Sequence, residues 1–453
     1  MNLRGKMLLA SGFHAPVLGE VEVLTDVLIS VGESGEIVSV LRPADPGYAK
    51  AKADAAAGGR LEILSEGSYL LPGFVDCHVH APQYPQLGSA LDVPLEVWLQ
   101  KYTFPLEARY QDTAFARHAY GLLVEDLIAN GTTTALYFAT VHQDATRILV
   151  DTCLEKGQRA LVGKVAMDNV DSCPDYYGDA SVDAALSGTS ALIDYVRHHP
   201  DNRDDRVLPV VTPRFIPSCT DATLEGLGAI ARDCGCHVQT HASESDWEHG
   251  YVLARHGMTD TDSLDRFGLL GRHTMLAHGN LLTAADMETI RIRQSAVAHC
   301  PLSNAYFAGA VFPLRAALEK GVNVGLGTDI SGGPSASMLE NCRAAVTMSR
   351  LLETGVDPNL PPDQRASGRP ARIDFRQAFH VATAGGAKAL DLPVGQFVAG
   401  YQFDAIVIDS RAEKGSIRLF DGLDGGDDIL QKIVFTASKA NISRVWIDGT
   451  VVA

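Results

Sequence analysis

Eight short apolar runs, separated by stretches of helical periodicity, occupy the middle of this chain and narrow its fold more than any other feature. They fall at residues 69–78, 132–138, 159–166, 207–213, 237–241, 273–278, 295–299 and 322–329. Each is short and largely apolar, as expected of a strand buried on both faces of a parallel sheet. Between them apolar residues return at helical spacing; Met338, Leu339, Cys342, Val346 and Ser349 share one face of such a segment. Eight strands alternating with helices over about 250 residues predict a (β/α)8 barrel, an α/β fold.

The two ends read differently. Val27, Ile29 and Val31 alternate with residues facing the other way, residues 32–35 supply a turn, and the run resumes at 37–40. The Ala-, Gly- and Lys-rich stretch 43–59 reads as a loose surface loop. After Gly400 the strand pattern returns in DAIVID (404–409) and VWI (445–447), followed by an Asp448–Gly449 turn and Val451–Val452. Each end is too short to build a core alone. A small β-sandwich made jointly from residues 1–70 and 393–453 is therefore expected beside a barrel spanning 71–392. The stretches 357–370 and 421–428 read as exposed loops.

Charge and cysteine usage exclude several functions. With 38 basic and 55 acidic residues the net charge is −17, a field that repels nucleic acid and anionic membrane but leaves a neutral small molecule unaffected. No stretch approaches the ~20 apolar residues of a membrane span, and the first residues lack the apolar core of a signal peptide, so a cytosolic protein is expected. Eight cysteines scattered along 453 residues make no disulfide framework. Cys234 and Cys236, a C-x-C with no second pair, make no zinc knuckle.

Residues with ligand chemistry gather at the C-terminal ends of the expected strands, the face on which such barrels act. His78 and His80 form H-x-H; residues two apart on a strand point the same way, so both rings reach one ion. His241 closes the fifth strand, His278 the sixth and Asp329 the eighth. A lone histidine in a barrel is usually a satisfied structural residue. Five ligand-type residues at strand ends in this order point instead to a metal centre. Imidazole with carboxylate suits zinc, and iron(II) accepts the same set.

The segments PGFVDCHVH (72–80), THASE (240–244), AHG (277–279) and GTD (327–329) together resemble the amidohydrolase superfamily. HAPQY (80–84), WLQKYTFP (98–105), NGTTTA (130–135), VGKV (162–165), TPRF (212–215) and HCPLSN (299–304) are similar, more narrowly, to its guanine-deaminating branch. The resemblance runs from about Leu71 to Asp409. It implies one divalent metal per chain, zinc before iron(II), held by His78, His80, His241 and Asp329. It implies a purine base as substrate, contacted by His80, Gln83, Arg214, Phe215, His241, Glu244 and Asp329. Glu244, His278 and Asp329 would be catalytic, with Glu244 moving protons and His278 orienting the water rather than binding the metal. A homodimer is also implied.

Bottom-up chemistry agrees with that assignment without requiring it. An aromatic ring carbon bearing an amine is a poor electrophile unless a neighbouring ring nitrogen is protonated, which a carboxylic acid beside the metal can do. Arginine presents a five-donor fork suited to the O6 and N7 acceptors of guanine. Glu244 also has a plain alternative as a helix-end carboxylate, with Ser243 or Ser245 capping a helix that begins near Asp246. Arg214 has another as an ordinary salt bridge. Three other functions compete: a binuclear cyclic-amide hydrolase, a deaminase of another ring (cytosine, an adenosine-like nucleoside, a triazine), and a non-catalytic scaffold. The bridging lysine of binuclear members belongs to the fourth strand, where Arg214 stands, whereas Lys164 lies on the third and reads as structural. Every ligand position is filled, against the scaffold reading. His142 and His299 near strand ends are candidate pocket residues, and Trp98 and Phe104 are candidates for a loop covering the site.

Overall fold

The computed structural model describes residues 2–453. Its centre is a barrel of eight parallel strands, Phe74–His80, Thr132–Phe138, Arg159–Gly163, Val207–Pro213, His237–Ala242, Thr274–His278, Ala296–His299 and Asn323–Leu326, arranged in space as in sequence. The alternation of strand and helix thus gives the expected fold. Val165–Ala166 adds a short piece beside the fourth strand. The ring is closed by the chain just past the eighth strand: Asp329 N donates to His78 O at 2.8 Å and His80 N to Ile330 O at 2.9 Å.

Alternation along the strands builds two apolar layers. Val75, Cys77, Leu136, Leu161, Val210, Met275 and Ala298 pack together in one cluster, which Leu390 and Val394 also join. Their neighbours Phe74, Ala135, Tyr137, Val162, Val211, Leu276 and Val297 belong to a second cluster, shared with the surrounding helices. Burying both faces explains why these strands read as nearly continuous apolar runs. The loops leading into the helices are pinned by N-caps: Ser181, Thr220 and Ser245 each accept a backbone N–H of the first turn that follows. Such caps are worth about 1 kcal/mol each and fix where the strand-to-helix loops turn.

The chain ends form one mixed sheet of eight strands, with Ser68–Pro72 running antiparallel to Ala405–Asp409. Leu24, Ile29, Leu70, Phe403 and Trp446 are among its core. A buried ion cluster joins this sheet to the base of the barrel: Arg159, at the start of the third strand, pairs with Asp404 at 2.9 Å and with Asp448.

Three sequence expectations are corrected. The run 69–78 is two strands, broken at Gly73, where the chain passes from the terminal sheet to the barrel; a Cβ at Gly73 would overlap the Thr133 side chain. The stretch 43–59 contains a helix, Tyr48–Ala57, because alanine and lysine favour helix where no packing opposes it. The eighth strand ends at Leu326, so Asp329 stands on the loop beyond it. All eight cysteines are free. Among the described residues no helix is long and apolar enough to cross a membrane.

Candidate active site

Five ligand-type side chains converge at the C-terminal mouth of the barrel. Asp329 Oδ1 lies 3.1 Å from His78 Nε2 and 3.6 Å from His80 Nε2. His80 Nε2 and His241 Nε2 are 2.9 Å apart, and His278 Nε2 is 3.9 Å from Asp329 Oδ2. Two sets of ligand atoms are each compact enough to hold one ion, His78–His80–Asp329 and His78–His241–His278. His278, Asp329 and the residue before Glu244, Ser243, all have positive φ, at 74°, 50° and 52°. Left-handed backbone is uncommon for residues other than glycine and gathers at sites whose geometry is imposed by function.

The residues around these groups decide which nitrogens are free. His241 Nδ1 lies 2.6 Å from Arg214 O, so Nδ1 carries the proton and the Nε2 lone pair faces inward. His278 Nδ1 lies 2.9 Å from Asn304 Oδ1, with the same consequence for its Nε2. Among the described residues both ring nitrogens of His78, Nδ1 of His80 and Nε2 of His278 have no hydrogen-bond partner. Burial pushes His78, His80 and His241 well below the usual imidazole range, which keeps them neutral. Neutral, buried imidazoles with unpartnered ring nitrogens on His78, His80 and His278, set around one carboxylate, are costly alone and are the donor set a divalent cation requires.

Glu244 lies on the short turn between the fifth strand and the helix Asp246–His256. Its Oε1 is 3.6 Å from His278 Nε2. Burial, and secondly the Asp329 charge, push its carboxyl up to about 8. Its backbone is tied down: Glu244 N donates to Glu248 Oε2 at 2.7 Å, Glu244 O accepts from Asn280 Nδ2 at 2.8 Å, and Ser243 N donates to Asp260 Oδ1 at 3.1 Å. Ser245 caps the following helix, so the cap and the carboxylate facing His278 belong to different residues.

Above the cluster opens a narrow cleft whose empty space, open mouth included, is about 400 Å³. His80, His241, Glu244 and Asp329 form its floor, Gln83, Arg214 and Phe215 line one part of its wall, and Leu95, Trp98, Leu99 and Phe307 another. Trp98 belongs to a helical segment rather than a loop, and its ring packs 4.9 Å from Phe307. Phe104 lies under Arg214, with the guanidinium carbon 5.0 Å from the ring centre. His142 and His299 are not on the pocket wall: His142 precedes the helix Gln143–Lys156, and His299 is buried against Phe312. Lys164 pairs with Asp179 at 2.7 Å, away from the cluster.

Two site residues have no counterpart in the sequence reading. Glu107 is fully buried and binds Arg214 by two bonds, Nη1 to Oε2 at 2.6 Å and Nη2 to Oε1 at 3.1 Å, while Gln83 Nε2 donates to Oε1 at 2.9 Å. Asp76, also fully buried, accepts from Thr328 N at 2.9 Å, Thr328 Oγ1 at 2.5 Å and His78 N at 3.3 Å, lacing the first strand to the loop that carries Asp329. Asp76 lies inside the PGFVDCHVH segment, whereas Glu107 lies just beyond WLQKYTFP and outside every segment that carries the resemblance.

A barrel with imidazoles and an aspartate at these strand ends defines a class of metal-dependent hydrolases, and residues 69–452 match the Amidohydrolase family. The chain belongs to that family. Within it, the chain is similar to the guanine deaminase of Homo sapiens, at 36% identity over 96% of this chain and 94% of that one. A crystal structure of guanine deaminase from C. acetobutylicum, with guanine bound in its active site, superposes with a TM-score of 0.86 at 30% identity, covering 98% of this chain and 99% of that one. An adenosine deaminase from Xanthomonas campestris with bound zinc superposes at 0.79 and 25% identity, covering 99% and 92%.

Proposed function

We propose that this chain hydrolyses guanine to xanthine and ammonia with one divalent metal, zinc before iron(II), held by His78, His80, His241 and Asp329. The observation that carries the reading is the juxtaposition of that buried cluster and Glu244 with a cleft walled by Gln83, Arg214 and Phe215. A divalent cation held by these residues would act as a Lewis acid on water, as zinc does by lowering the pKa of its water to roughly 7. Glu244, protonated near neutrality by its burial, first delivers its proton to the ring nitrogen beside the carbon under attack and, as the carboxylate, then takes one from the attacking water. It then passes a proton to the departing amine. His278 steadies the charge that develops on the oxygen, and Asp329 accepts a hydrogen bond from the water. Arg214 donates to the guanine acceptor edge, Gln83 offers an amide edge, and Phe215 lies against the ring.

The mononuclear assignment is supported by Arg214 just after the fourth strand and by Lys164 engaged with Asp179. A homodimer and a cytosolic setting are part of the same reading, as is a division into a barrel spanning 71–392 and a terminal unit of 1–70 with 393–453. The zinc-bound adenosine deaminase keeps a second reading in view, deamination of another ring. Ammonia release from a panel of purines, pyrimidines and triazines separates the two. Guanine should be the preferred substrate, and adenine, with an amine in place of O6, a poor one. Preference for adenine or cytosine would refute the substrate while leaving the hydrolase. Elemental analysis giving two metals per chain would refute the single-ion site.

A further inference from the structure

Arg214 is not a free cation in the cleft. Its guanidinium is 3% exposed and its partner Glu107 is fully buried, joined by two parallel charge-assisted bonds. Two of its five N–H donors are used in this way, leaving the rest for a ligand. Glu107 also holds Gln83, whose Nε2 donates to it while Oε1 accepts from Ser331 N at 3.2 Å, so the amide cannot flip without losing both bonds. One buried carboxylate thus orients both polar groups of the wall and cancels the charge of one of them.

We infer that Glu107 is a positioning residue that makes the cleft select a neutral ring over an anionic one, and so favours release of product. The inference rests on the reading that the cleft binds guanine. Guanine is neutral, and hydrogen bonds from Arg214 suffice to hold it. Hydrolysis replaces the amine by a second ring carbonyl, which spreads negative charge and makes xanthine more acidic than guanine. A buried, unpaired guanidinium would attract the xanthine anion strongly, because charges in a site from which water is excluded interact several times more strongly than in water. With Glu107 behind Arg214 most of that attraction cancels. Glu244, Asp329 and the cation are unchanged by any substitution at Glu107, so their effect on an anion drops out of a comparison between variants.

The test uses the metal-loaded protein and xanthine as a competitive inhibitor of guanine deamination, at pH values below and above the ionisation of xanthine. In the unaltered protein, inhibition should hold level or weaken as xanthine ionises. In Glu107→Gln the ratio of the guanine KM to the xanthine inhibition constant should rise about tenfold or more on the alkaline side only, for a charge removed several ångströms from the ring. Glu107→Asp keeps the charge but not the two-bond geometry, so it should raise KM and leave the ratio as in the parent. A ratio that does not move with pH in Glu107→Gln overturns the inference, as does a ratio that rises on the alkaline side in Glu107→Asp, which keeps the charge. The two variants are judged separately, so either outcome stands if only one of them folds. A parent that releases no ammonia from guanine defeats the proposed function and this inference together; guanine turnover with an unmoved ratio defeats the inference alone.

Discussion

Substituting Asp76 tests whether the metal cluster depends on the seam that closes the barrel. The side chain is fully buried and accepts three hydrogen bonds, from Thr328 N, Thr328 Oγ1 and His78 N. In Asp76→Ala the Thr328 hydroxyl can turn to another acceptor, but the two backbone N–H groups are stranded. A buried donor without a partner costs about 1–3 kcal/mol, so with two such donors the seam should lose about 2–6 kcal/mol. Both stranded groups matter to the site: one belongs to His78 itself and the other to the neighbour of Asp329. Asp76→Asn keeps an oxygen for the two backbone donors and presents an amide to Thr328 Oγ1, so it should lose no more than about 1 kcal/mol. Burial already pushes the Asp76 carboxyl up to about 7, which makes a neutral side chain a fair replacement. Urea midpoints of the metal-loaded variants at unchanged slope, and the half-life of the metal against a competing chelator, read the two effects. Parental values of both in Asp76→Ala would refute the argument. Equal damage from Asn and Ala would show that charge matters here rather than hydrogen bonding.

Other substitutions bear on the chemistry and the fold. Glu244→Gln should keep its metal and lose turnover by about 10²–10⁴-fold; near-parental turnover at saturating guanine would reduce Glu244 to a helix-end carboxylate. Arg214→Met should abolish guanine binding and also destabilise the protein by about 3–5 kcal/mol, because it leaves Glu107 buried without its charge partner. Adding Glu107→Gln should restore much of that stability, and strictly additive losses in the double variant would rule out the coupling. His237, at the foot of the fifth strand, is lowered by burial to about 4 from the usual 6.5 of a free imidazole. Protons therefore favour the unfolded chain between these values: the contribution is full above pH 6.5 and is lost as pH falls toward 4. It amounts to about 3 kcal/mol. His237→Gln should flatten this part of the stability–pH profile, and an unchanged slope from pH 6.5 to 4 would count against it.

The sequence by itself determined the barrel and the ligand-type side chains that gather at its mouth. Strands buried on both faces must be apolar throughout, so their positions are written in the one-dimensional pattern, and a ligand at a strand end is found once the strand is found. Hence His78, His80, His241 and His278 were placed from the chain alone, with Asp329 displaced only onto the loop beyond the eighth strand. The tertiary structure decided what happens between elements distant in sequence. Glu107 meets Arg214 across 107 residues and Asp76 meets Thr328 across 252. A buried carboxylate has no periodicity to betray it, and its partner is fixed by how the barrel closes rather than by any neighbour along the chain. Local pattern fixed which groups could do the chemistry; packing fixed their charge, their tautomers and the donors left free for a ligand.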